Sequence, residues 1–179
     1  MRDARSADLP FIKLMLYEAA NRPGEAWPSF EESMEELRNR RFWFNFARDG
    51  DIGVVAETAH EPIGAAWIRR FGGEEKGPLD DPDVPVLAIG VVEQWRGRGV
   101  GTLLMRSLLD RARRSGVAAI DLTTGAFNEA GVRLYYASGF VDTGRFGDAI
   151  RMRARLATLM PATTRPRYRW RARPGRSWR

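Results

Sequence analysis

The chain has 179 residues, 44% of them hydrophobic, which suits a single domain whose core is stable without covalent staples. It has no cysteine and one histidine, His60. That excludes disulfide frameworks, thiol nucleophiles and thiolate metal sites, leaves no expectation of a triad built on an imidazole base, and no metal is expected. No apolar run approaches the roughly 20 residues a bilayer span requires, and no membrane association is expected. The N-terminal MRDARSADLPF carries charges where a signal peptide has its apolar stretch, so the expected location is cytoplasmic. The net charge of +6 sits in the tail: residues 161–179 hold seven arginines and no acidic residue, leaving residues 1–160 close to neutral.

In chain order, Arg2 to Ala4 reads as a very short strand, and Ser6 or Asp8 caps a helix over Leu9 to Ala20. Phe11, Leu14, Met15 and Leu16 mark its expected buried side. Asn21 to Ser29, with Pro23, Gly24 and Pro28, reads as a loop. Phe30 to Phe44 reads as one helix, and Asp49-Gly50-Asp51 as a turn. The period then changes to two: Val54 to Thr58 and Ile63 to Arg70 read as a hairpin. Phe71 to Pro85 is a Gly-, Pro- and Asp-rich loop. Val86 to Val92 is nearly all apolar, as in a central strand covered on both faces. A helix over Gly99 to Ser115 with Gly116 as cap, a strand over Val117 to Thr123, a helix over Asn128 to Ser138 and strands at Phe140 to Thr143 and Ile150 to Leu156 complete the domain, 1–160. The tail, 161–179, is broken by Pro161, Pro166 and Pro174, has no apolar period, and is expected to be disordered or loosely attached.

The most informative segment joins the apolar strand to its helix through Arg96-Gly97-Arg98-Gly99-Val100-Gly101. N–H groups at a helix start lack intrahelical partners and carry the positive end of the dipole. Glycines let such a backbone come close to a phosphate, so the turn suits a pyrophosphate. Arg96 and Arg98 add mobile positive charge. A Walker loop needs Gly-Lys-Ser/Thr, but Thr102 follows Gly101 directly; a dinucleotide fingerprint needs a glycine where Thr102 stands.

What remains, Arg-x-x-Gly-x-Gly, resembles the acetyl-CoA-binding motif of the GCN5-related N-acetyltransferase (GNAT) superfamily. Val91, five residues before Arg96, matches the family's apolar residue at a strand bulge. Asn128-Glu-Ala-Gly-Val-Arg-Leu-Tyr135-Tyr-Ala-Ser-Gly-Phe140 resembles its Asn-(x)6-Tyr and Leu-Tyr-x-x-x-Gly-Phe signature. The resemblance covers about Val54 to Leu156. It implies an α/β fold of the mixed α+β kind: a central, mostly antiparallel sheet with two splayed parallel strands, flanked by helices. It also implies acetyl-CoA as co-substrate and a primary amine of a small molecule or polypeptide as acceptor, the amine attacking the thioester directly. Cofactor contacts carried over are the main chain of Ile89, Gly90 and Val91, the turn Arg96, Gly97, Arg98, Gly99, Val100, Gly101 and Thr102, and Asn128. The N–H near Val91 is the implied oxyanion donor and Tyr135 the implied acid. Apart from the resemblance, Asn128 reads as a helix N-cap and Tyr135 as a core aromatic.

The base stays open. Relatives resembling peptide-N-terminal acetyltransferases carry a glutamate where this chain has Thr123; Asp121, Glu57 and Glu93 are the nearby carboxylates, and each also reads as a solvated group. Trp27, Phe42, Trp43, Phe44 and Trp67 are candidates for an acceptor pocket or for core. Two other classes stand beside the enzyme: a silent acyl-CoA sensor, and a nucleic-acid-associated protein using the tail, where Tyr168, Trp170 and Trp178 interleave with arginine. A tail with no folded module supports only non-specific binding. Homodimers are common in the resembled family, and no residue here assigns one.

Overall fold

The computed structural model describes residues 1–20, 28–78 and 80–156. Expectations for the Asn21–Ser29 loop as far as residue 27, for Trp27 and for the tail therefore lie outside the described residues.

The period-two segments form the sheet. β1 (Arg2–Asp3), β2 (Ile52–Glu57), β3 (Pro62–Arg69) and β4 (Val86–Val91) are consecutive antiparallel neighbours. β5 (Ala119–Gly125) joins β4 in parallel, and β6 (Val141–Phe146) and β7 (Ala149–Arg155) complete the order β1-β2-β3-β4-β5-β7-β6. The sheet is mixed and mostly antiparallel. Side chains alternate across it, so β2 and β3 serve two cores. Val54, Ala66 and Ile68 face α4 (Val100–Arg114) and α5 (Glu129–Ala137), with Leu104, Met105 and Leu108. Val55, Ala65 and Trp67 face α1 (Leu9–Ala20), α2 (Phe30–Glu35) and α3 (Leu37–Trp43), with Ile12, Met15 and Met34. Trp67 is fully buried and its Nε1 donates to the Phe42 carbonyl at 3.1 Å; truncating such a side chain to alanine costs about 3–5 kcal/mol.

Two local expectations are corrected. On α1 the inward residues are Ile12, Met15 and Leu16, whereas Leu14 is exposed and Phe11 half-buried, because the helix lies on β4 along a different stripe. The single helix expected over Phe30 to Phe44 is two, broken where Glu36 is extended (φ −58°, ψ 128°). Side chains of the second helix close the first: Asn39 Nδ2 donates to the Ser33 carbonyl at 2.8 Å and Trp43 Nε1 to that of Met34 at 3.3 Å. A carbonyl that accepts a side chain no longer needs the next helical N–H, so the chain can turn there.

α1 lies against β4 because Gly90 leaves room for it. A Cβ at that position would meet the Met15 carbonyl oxygen inside van der Waals contact, with the Met15 carbonyl carbon and Cα each at 3.0 Å. Helix backbone thus occupies the space a side chain would take.

Candidate active site: a split sheet opening onto a helix start

The parallel strands β4 and β5 are joined only at Val86↔Asp121, where Asp121 N donates to the Pro85 carbonyl at 2.9 Å. β5 meanwhile pairs with β7 along its whole length, from Ala119↔Arg155 to Gly125↔Ala149. Beyond Val86 the two parallel strands therefore part. Val92 N donates to the Ile63 carbonyl at 3.1 Å, so main-chain groups of alternate residues from Val92 backwards point to β3. Those of Ile89 and Val91 point the other way, into the gap. A strand edge that faces no strand offers its N–H and C=O groups to an extended ligand.

The gap ends at the glycine turn. Gly97 (φ +70°) and Gly99 (φ +81°) are both left-handed, a region side chains rarely adopt, and Gly99 is the N-cap of α4. The first helical bond runs from Leu103 N to the Gly99 carbonyl at 3.1 Å. The N–H groups of Val100, Gly101 and Thr102 precede it, as an anion site at a helix start requires. The missing side chain of Gly101 also serves packing. A Cβ there would lie 3.3 Å from Leu134 Cδ2, so its absence lets α5 pack against the first turn of α4.

The two turn arginines differ. Arg98 is exposed, its guanidinium 5.3 Å from the Trp95 ring centroid. Arg96, expected to be mobile, is anchored. Its Nε donates to the Val91 carbonyl at 3.0 Å and its Nη2 to Glu18 Oε2 at 2.6 Å. The Val91 carbonyl is thereby taken, while its N–H, the expected oxyanion donor, stays on the gap side.

Asn128 caps α5, its Oδ1 accepting from Gly131 N at 3.0 Å and its Nδ2 donating to Thr124 Oγ1 at 3.3 Å. It fastens α5 to β5 beside the gap. Tyr135 is buried against Phe140, ring centroids 6.0 Å apart, and burial pushes its phenol up to about 12. No described residue hydrogen-bonds its hydroxyl, so the proton is held and has no protein acceptor nearby.

The carboxylates separate clearly. Asp121, one of the base candidates, is buried and accepts from Arg153 Nε at 2.5 Å, Arg153 Nη2 at 2.8 Å and Arg151 Nη2 at 2.8 Å. Burial pushes its carboxyl up, but the bonds from Arg153 and Arg151 outweigh that and hold it below the ordinary value. An acid so held is a poor proton acceptor. Glu57 accepts from Arg2 Nε at 2.7 Å on β2, two strands from the gap. Glu93 is exposed, and His60 lies exposed in the β2–β3 turn. Glu18, which sequence reasoning did not single out, is the carboxylate tied through Arg96 to the end of β4. Nothing in its local sequence signals this, because its partner lies 78 residues away.

Among the described aromatics, Trp67 and Phe42 are structural, Phe42 standing edge-on to Phe71 at 5.0 Å. Trp43 lies beneath Lys13 Nζ at 3.6 Å, and Phe44 is exposed. A hollow of about 590 Å³ lined by Gly139, Val141, Thr143, Arg151, Arg153 and Arg155 lies on β6 and β7 and takes in none of the turn residues; the reactive geometry is the split in the sheet. Among the described residues, no group of three or more His, Cys, Asp or Glu is placed to hold a metal ion, and no helix is long and apolar enough to cross a membrane.

A split parallel pair followed by a glycine-bounded helix start defines an α/β protein with a candidate anion site at the first turn of α4. The acetyltransferase (GNAT) family profile matches residues 14–140. The L-methionine sulfoximine/L-methionine sulfone acetyltransferase of Pseudomonas paraeruginosa is 31% identical over 151 residues, covering 81% of each chain. The crystal structure of ribosomal-protein-alanine N-acetyltransferase from Brucella melitensis superposes with a TM-score of 0.60 at 25% identity, over 87% of this chain and 98% of that one. The Salmonella typhimurium yncA protein, a putative acetyltransferase solved with acetyl-CoA, shares the fold with a TM-score of 0.60 at 22% identity, over 87% and 92%. The chain belongs to the GNAT acetyltransferase family.

Proposed function

We propose that the protein transfers an acetyl group from acetyl-CoA to a primary amine in the gap between β4 and β5. The observation that carries this reading is the end of the β4–β5 ladder after Val86↔Asp121, which leaves Ile89 and Val91 facing a gap that leads to the free N–H groups of Val100, Gly101 and Thr102. Those three N–H groups receive the pyrophosphate, with Arg98 free to reach it. The main chain of Ile89 takes a pantetheine amide as an added strand would, the Val91 carbonyl being held by Arg96. The Val91 N–H donates to the thioester oxygen as negative charge develops there, in a setting where few other donors compete. Tyr135 keeps its proton at neutral pH and donates a hydrogen bond to the departing thiolate. Asn128 acts by seating α5, which carries Tyr135.

The test has two parts. Acetyl-CoA at one hundred times its dissociation constant should stabilise the fold by about 2.7 kcal/mol, or roughly 5–10 °C in melting temperature for a chain of this size. Free thiol should then appear with an amine from a panel of L-methionine sulfone, L-methionine sulfoximine and a peptide beginning with alanine. No shift with acetyl-CoA refutes the reading. A shift with no thiol release from any amine supports the acyl-CoA sensor instead.

A further inference from the structure

We infer that Glu18 receives the protonated amine of the acceptor at the end of β4, an assignment that rests on the proposed acetyl transfer. An amine about to attack a carbonyl at Val91 needs an anionic or hydrogen-bond-accepting group close by, since at neutral pH it arrives as an ammonium ion. The described carboxylates on or beside the central strands do not offer one. Asp121 is saturated by Arg151 and Arg153, Glu57 is held by Arg2 two strands away, Glu93 stands exposed in the turn after β4 with no described residue holding its side chain, and Thr123 carries no charge.

Glu18 meets the geometric requirement. One planar guanidinium bonds both Val91 O, at 3.0 Å, and Glu18 Oε2, at 2.6 Å. The fixed span of that fork keeps the carboxylate within about 8 Å of the Val91 carbonyl. Oε2 is occupied, whereas Oε1 takes no hydrogen bond from a described residue. The Glu18 side chain is 26% exposed, so it is partly desolvated yet reachable. Its support is rigid: Met15, one helical turn earlier, sits with its backbone on Gly90, and Arg96 fixes the end of the helix. Glu18 thus binds and orients the ammonium group, which gives up a proton to solvent water before its nitrogen attacks, so Glu18 is not asked to be the base. α1 brings the acceptor contact and β4 the donor contact, and Arg96 sets the distance between them.

The experiment compares wild type, Glu18→Gln and Glu18→Asp, using as probe whichever amine of the panel gives turnover. Acceptor KM is measured at pH values below and above the pKa of that amine, with acetyl-CoA stabilisation followed in parallel. Losing one charge-assisted contact at a partly exposed site should raise acceptor KM about tenfold at the lower pH. The effect should shrink at the higher pH, where the amine is neutral, and Glu18→Asp should recover part of it. Acetyl-CoA stabilisation should be unchanged. An unaltered acceptor KM overturns the assignment, as does a rise equal at both pH values, which marks Glu18 as a mere fastening of α1. If wild type is neither stabilised by acetyl-CoA nor active on any amine, the proposed transfer itself fails, and this assignment fails with it.

Discussion

Replacing Gly90 by alanine tests the seating of α1 on the sheet. The added Cβ would enter contact with the Met15 carbonyl oxygen and stand 3.0 Å from two further backbone atoms of the same residue. Carbon atoms prefer separations of about 3.5–4.0 Å, and helix backbone cannot rotate aside as a side chain can, so α1 must retreat from β4. Retreat loosens Ile12 and Met15, both fully buried, from Ala88 and Trp67. Overpacking usually costs about 1–3 kcal/mol, and a rigid partner argues for the upper end, near 3 kcal/mol. For a chain of this length that is roughly a 6–12 °C fall in melting temperature. Gly72→Ala is the matched control: nothing lies within 4 Å of its Cβ and its φ is −135°, so a neutral or slightly stabilising result is expected. Thermal unfolding of both variants beside wild type provides the assay. A Gly90→Ala protein melting within about 2 °C of wild type would show that the helix yields freely, and would refute the argument that Gly90 fixes its height.

Gly99→Ala adds a Cβ that meets nothing, so its cost is the left-handed φ of +81° alone, about 1–2 kcal/mol. Acetyl-CoA affinity should fall more than stability does, read from the ligand concentration needed for half-maximal thermal shift; unchanged affinity would separate the turn from pyrophosphate binding. Tyr135→Phe should lower kcat about a hundredfold while leaving stability nearly unchanged, because its hydroxyl has no described partner. Unchanged turnover at saturating amine removes its role as donor. Asp121→Asn should lose about 3 kcal/mol at neutral pH by leaving Arg151 and Arg153 short of their counter-charge. The folded carboxyl lies below its ordinary value, so its contribution is present above about pH 4 and is lost as pH falls through the folded value. Urea unfolding at stepped pH should therefore show a flatter acid limb for Asp121→Asn, and equal limbs would count against the ion cluster.

Much of the fold was legible because it is written in short-range pattern. The apolar runs Ile63 to Ile68 and Val86 to Val91 mark strands wherever they sit. The spacing of Leu104, Leu108 and Ala112 marks α4 in the same way. The split at Glu36 was hidden because its cause is a bond from Asn39 back to Ser33, which competes with helix by geometry and leaves no compositional trace.

The sequence by itself determined the glycine turn. Gly97 and Gly99 supply left-handed dihedrals, and the helix start follows within the same few residues, so the candidate anion site is local and readable without tertiary contacts. Tertiary structure decided what surrounds it. The gap exists because β4 and β5 share only the Val86↔Asp121 bridge while β4 stays paired along β3 and β5 along β7, a matter of long-range pairing. Asp121 was withdrawn as a base by arginines 30 and 32 residues downstream. Glu18 was brought to Val91 by Arg96, and Gly90 proved to be the seat of α1. Each of these depends on residues distant in the chain meeting across the sheet, and no local propensity encodes such a meeting.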